Sequence, residues 1–121
     1  MTEKIATLKK EGNVSTITLD DGKANVFSPE MSKQINECLD EVATEEGCLI
    51  ITGREGMFSG GLDLKIIQSG DIDHIQDMSF SAFKLLARIF SFPRPVIAAC
   101  SGHAVAPVSY THLRAHETLD N

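Results

Sequence analysis

The stretch Met57-Phe58-Ser59-Gly60-Gly61-Leu62-Asp63-Leu64-Lys65 decides how this chain is read. An apolar run, Cys48-Leu49-Ile50-Ile51-Thr52-Gly53, precedes it and reads as a buried strand bounded by turn residues. Two adjacent glycines free the backbone to turn sharply and let its N–H groups approach a ligand. Asp63 suits the cap of a short helix through Leu64-Lys65-Ile66-Ile67, and Gly70 stands where that helix should end. A strand, a glycine turn and a helix N-terminus aim backbone donors at one point, which suits a developing negative charge. That is the geometry of an oxyanion hole. Many strand-to-helix loops contain two glycines and bind nothing, so the rest of the chain has to support the reading.

Upstream, residues 5–10 and Val14–Leu19 pattern as strands joined by a Gly12-Asn13 turn, the second alternating through Val14, Thr16/Ile17 and Leu19. After the polar loop Asp20-Asp21-Gly22-Lys23, Ser28-Pro29-Glu30 opens a helix with a side-chain cap, an early proline and an early acid. Met31, Ile35, Cys38/Leu39 and Val42 share one face of it. Downstream, a longer helix is expected over 72–90, starting near Asp71 or Asp73. Its apolar face (Ile75, Met78, Ala82, Phe83, Leu86, Ile89, Phe90) is broader than a surface helix needs. Either a neighbouring subunit or a part of the chain not present would cover the surplus. Pro93 and Pro95 stop this helix and lead into residues 96–100, read as an apolar buried strand. Strands alternating with helices give an α/β fold with parallel pairing.

With 121 residues the chain makes one domain at most. A net charge of −6, with no long Lys/Arg cluster, argues against nucleic acid as a partner. No segment approaches the roughly 20 apolar residues of a membrane span, and residues 1–5 carry no run of signal-peptide length. Cys38, Cys48 and Cys100 are odd in number and lack a CxxC spacing, so reduced thiols in a cytoplasmic protein are expected, with no disulfide and no metal site.

Residues 50–65, with Thr52-Gly53-Arg54-Glu55-Gly56 leading into Phe58-Ser59-Gly60-Gly61, resemble the crotonase (enoyl-CoA hydratase/isomerase) superfamily. Arg94-Pro95-Val96-Ile97-Ala98-Ala99-Cys100-Ser101-Gly102-His103-Ala104-Val105-Ala106 resembles that family's second signature strand and loop. The start, residues 14–20 followed by Asn25 and a helix, fits as well. The resemblance covers residues 3–106. It implies a crotonase spiral of ββα turns, here incomplete, and a parent that assembles as a homotrimer or hexamer. The ligand it implies is an acyl-CoA thioester, with coenzyme A part of the substrate and no separate cofactor.

The resemblance makes the Leu62 N–H the first of two oxyanion donors, with Ser59, Gly60, Gly61, Asp63 and Lys65 around the substrate. Lys65 stands where the family often places a basic residue near the CoA nucleotide; it reads equally as a solvated helix lysine. Asp63 reads as a cap before a reactant, and His103 as a structural group. The second donor position falls on Pro107, which has no N–H, and losing one such donor costs on the order of 10²–10³ in rate. The family spacing projects its first glutamate onto Tyr110 and its second beyond Asn121. Glu117 matches neither, so no general acid or base is assigned.

Residues 107–121 do not continue the family pattern. His112 and His116, with Glu117 beside them, are spaced i, i+4, but their order is not H-E-x-x-H and no third ligand is apparent. The run Val108-Ser109-Tyr110-Thr111-His112-Leu113-Arg114-Ala115-His116-Glu117-Thr118 resembles a vector or adapter read-through. The expectation is a crotonase-like segment over 1–106 with a non-native tail over 107–121, inactive as it stands. The alternatives are a non-catalytic CoA-thioester-binding or subunit-interaction module, or another crotonase chemistry (thioesterase, dehalogenase, decarboxylase). The source transcript is expected to diverge from this tail after Ala106; recovering the same codons from it would overturn the read-through reading.

Overall fold

In the computed structural model, residues 3–44, 46–100 and the backbone of 102–104 are described. The Gly12-Asn13 turn closes a hairpin in which β1 (Ala6–Glu11) pairs antiparallel with β2 (Val14–Leu19), Ala6 opposite Leu19 and Glu11 opposite Val14. The inward residues of β2 are Ser15, Ile17 and Leu19; Val14 and Thr16 take the other face. The expected alternation placed Val14 inward. A buried serine has little hydrophobic signature, so pattern reading skips it.

Helix α1 (Pro29–Val42) starts as its sequence dictates, with the Ser28 hydroxyl accepting from the Met31 N–H. Met31, Ile35, Cys38, Leu39 and Val42 are its buried apolar positions, the face expected from the helical period. Strand β3 (Cys48–Thr52) then pairs parallel with β2, and a short β4 (Gly56–Ser59) follows. Next come α2 (Leu64–Gln68), capped by Asp63, and α3 (Ile72–Phe90), capped by Asp71. Strand β5 (Val96–Ala99) returns parallel to β3, and β6 (Gly102–Ala104) pairs parallel with β4.

The chain therefore advances one strand in each of two sheets per turn. The larger sheet has the order β1-β2-β3-β5, and the smaller holds β4 and β6. A single parallel bridge, Val26 to Gly61, makes the equivalent contact for the first turn. This is the ββα spiral expected from the resemblance. Ile17, Leu19, Leu49, Ile51 and Val96 from the sheet meet Met31, Ile35, Leu39, Ala82, Leu85 and Ile89 from α1 and α3 in one core.

Three expectations change. Residues 96–100 are not a strand buried throughout: β5 ends at Ala99 and only Val96 is buried, because β5 lies at the end of the sheet among the described residues. Gly56–Ser59 is a strand, which four residues flanked by glycines do not announce, because its pairing partner lies far along the chain. On α3, Leu85 is buried while Ile72, Phe80, Phe83 and Phe90 are exposed, Phe80 by 66%. The period locates an apolar helix, but a helix apolar on two sides does not say which side meets the sheet.

Arg94 is the polar anchor of this arrangement. It is 4% exposed and its guanidinium donates to the carbonyls of Asn13, Val42, Gly47 and Cys48 and to the Ser15 hydroxyl. One fork thereby ties the hairpin turn, the end of α1 and the start of β3 to the strand that follows Pro95. Val42 supplies one of the helix-end carbonyls that lack an intrahelical partner. Arg94→Ala is expected to lower unfolding free energy by about 3 kcal/mol, since several buried carbonyls lose their donor together. Arg94→Lys should recover only part of that, because an ammonium lacks the planar fork. Urea denaturation of both variants checks this.

Candidate functional site

Two carboxylates shape the loop between β2 and α1. Asp21 accepts from the N–H groups of Lys23, Asn25 and Val26, and Asp20 accepts from Gly22. Arg54, from the connection between β3 and β4, donates to the Lys23 carbonyl and lies 3.3 Å from Asp20. The loop leads to Asn25, which is fully buried with φ 50°. Asparagine is among the few residues that adopt this left-handed backbone readily. Its side-chain amide donates to the carbonyls of Leu19 (2.7 Å) and Phe58 (3.2 Å), and its Oδ1 accepts from the Asp21 N–H.

The glycine turn sits against this loop. Gly60 N–H donates to the Ala24 carbonyl, and Phe27 N–H donates to the Gly61 carbonyl, both at 2.6 Å. A Cβ on Gly60 would lie 3.1 Å from the Ala24 Cβ, so a side chain there requires residue 24 to give way by a few tenths of an ångström. Gly61 has φ 84°, a region that side-chain-bearing residues occupy at a cost. The Ser59 hydroxyl donates to the Asn25 carbonyl and accepts from the Gly61 N–H. Leu62 comes next, and its N–H has no hydrogen-bond partner among the described residues.

A cleft of about 520 Å³ opens beside this turn, a size suited to a small-molecule ligand. Gly60, Leu62, Asp63 and Lys65 line it from one side; Lys23, Ala24 and Val26 line it from the other. Of the residues expected around a substrate, Ser59 and Gly61 are buried and lie behind the wall. Ser59, with its hydroxyl engaged twice, holds the turn and does not contact the cleft. Asp63 is an N-cap, accepting from the Lys65 N–H at 3.0 Å. Helix α2 is only five residues long, so donor strength here rests on individual N–H groups more than on a helix dipole. A second hollow, about 350 Å³ between β1 and α1, is rimmed by Glu30, Glu37 and Glu41 and lies away from both signature segments.

The signature segments themselves meet. Gly56 pairs with Gly102 and Ser59 with Ala104, so the strand that leads into the glycine turn lies beside β6. Pro107, Tyr110, His112, His116 and Glu117 lie outside the described residues, as does the expected tail. Among the described residues, no cluster of three or more His, Cys, Asp or Glu side chains is arranged to hold a metal. No described helix is long and apolar enough to cross a membrane. Burial pushes the thiols of Cys38 and Cys100 up from their ordinary value, which disfavours their nucleophilic form.

Residues 9–110 match the family model described as enoyl-CoA hydratase/isomerase. The chain belongs to the enoyl-CoA hydratase/isomerase family. It is 33% identical over 108 residues to enoyl-CoA delta isomerase 3 of Arabidopsis thaliana, covering 84% of this chain and 45% of that protein. An enoyl-CoA hydratase structure from Mycobacterium ulcerans superposes with a TM-score of 0.81 at 39% identity, covering 85% of this chain and 46% of that one. An enoyl-CoA hydratase/isomerase family protein from Pseudomonas syringae gives a TM-score of 0.85 at 34% identity over 92% of this chain and 48% of that one. The chain thus spans less than half the length of these relatives.

Sequence reasoning missed the roles of Asn25, Asp21 and Arg94. The signals were present: Asn after an Asp-Asp-Gly loop favours a left-handed turn, and Arg94 opens the second signature segment. Gly60→Ala is expected to lower unfolding free energy by about 1–3 kcal/mol, since its Cβ must push residue 24 away from the turn. Thermal and urea unfolding of the variant measure it.

Proposed function

We propose that the cleft binds an acyl-CoA thioester and that the Leu62 N–H polarises its carbonyl as an enolate develops. The observation that carries this reading is that Leu62 lines the cleft beside a glycine turn fixed from both sides, and its N–H has no partner among the described residues. A preorganised donor of this kind stabilises charge that appears only in the transition state. Gly60 and Asp63 form the adjacent wall. Lys65, with Lys23 across the cleft, supplies positive charge for the phosphates of CoA. The substrate brings its own CoA, and no further cofactor is required.

In this reading the whole protein hydrates or isomerises an enoyl-CoA in the cytoplasm, within fatty acid metabolism, as a homotrimer or hexamer. The relatives carry both hydratase and isomerase names, which supports the shared enolate step and leaves the choice to the acid/base groups. The 121-residue chain binds without turnover. Two carboxylates on the cleft wall, Asp21 and Asp63, are engaged by backbone N–H groups, and Pro107 has no N–H at the second donor position. This favours the ligand-binding alternative for the chain by itself.

Calorimetry with butyryl-CoA and with free CoA tests the binding. The acyl thioester is expected to bind, and Lys65→Ala to weaken both ligands. Crotonyl-CoA should lose its enone absorbance no faster with purified protein than with an empty-vector control. Absence of binding heat with either ligand would overturn the cleft assignment, and measurable hydration would overturn the lack of turnover.

A further inference from the structure

We propose that Asn25 is a positioning residue for the Leu62 N–H, acting through residues 24–27 without touching the ligand. The inference rests on the reading of Leu62 as the donor to the thioester carbonyl. A trans peptide is planar, so the direction of the Gly61 carbonyl fixes the opposite direction for the Leu62 N–H. That carbonyl is held by the Phe27 N–H, and the preceding turn residue, Gly60, is held by the Ala24 carbonyl. The aim of the donor is therefore set by residues 24 and 27, and Asn25 lies between them.

Asn25 fixes the path of this short segment in three ways. Its left-handed backbone, φ 50°, turns the chain so that residues 24 and 27 both face the glycine turn. Its side-chain amide bridges the carbonyls of Leu19 and Phe58, joining the end of β2 to β4. Its own carbonyl receives the Ser59 hydroxyl, which in turn accepts the Gly61 N–H. Each link is buried, so none is replaced by water when it is lost. Ala24 and Val26 line the cleft whereas Asn25 does not, which separates aiming the donor from binding the ligand.

Asn25→Gly tolerates the same backbone angle and deletes only the amide links. The ligand is butyryl-CoA, which is saturated and cannot be hydrated. The readouts are its affinity and the infrared stretch of its bound thioester carbonyl. The native chain should shift that band to lower frequency on binding. In Asn25→Gly the affinity should stay within about threefold while most of the band shift disappears. Ser59→Ala removes only the relay to Gly61 and should lose part of the shift; it decides the matter if Asn25→Gly does not fold. A native chain that binds without any band shift would sink the Leu62 reading itself. A native shift retained in full by the variants would sink the role of Asn25 alone, as would affinity falling in step with the shift.

Discussion

Two backbone hydrogen bonds across successive turns of the spiral, Gly60 N–H to the Ala24 carbonyl and Phe27 N–H to the Gly61 carbonyl, organise everything near the cleft. A missing Cβ at residue 60 eases the close approach and a positive φ at residue 61 sets the turn, so the two glycines serve different purposes. The two bonds also engage the Gly60 N–H and the Gly61 carbonyl, while the Leu62 N–H has no partner among the described residues. A buried backbone N–H is normally paired, which sets Leu62 apart from its neighbours in the turn.

The same turn-to-turn logic recurs on a larger scale. Strands β3 and β5 lie beside each other in one sheet, while β4 and β6 lie beside each other in the other. A local sequence motif at the end of β4 is thereby brought next to one at the end of β6, more than forty residues later. In the larger sheet the anchor is Arg94. It joins the hairpin, α1 and β3 through neutral acceptors, and a single planar fork reaches all of them where no other side chain has enough donors.

Family membership and chemistry stand apart here. The family model matched over residues 9–110 places the chain among the enoyl-CoA hydratases and isomerases. Choosing between adding water and moving a double bond requires placed acids and bases. The two carboxylates of the cleft wall that hold backbone N–H groups, Asp21 and Asp63, shape loops.

Much of the local structure was legible from sequence because its causes are local. Ser28, Asp63 and Asp71 cap their helices, the α1 face follows from a 3.6-residue period, and Val14–Leu19 and Cys48–Thr52 read directly as strands. The glycine turn was also marked in advance, through the motif that carries it. Strand β4, the place of β5 at the end of the sheet among the described residues and the buried side of α3 were not, since each depends on a partner distant in sequence. The roles of Asn25 and Ser59 were decided by tertiary structure alone. A polar side chain declares no period, and its function is set by which carbonyls the folded chain brings within hydrogen-bond reach.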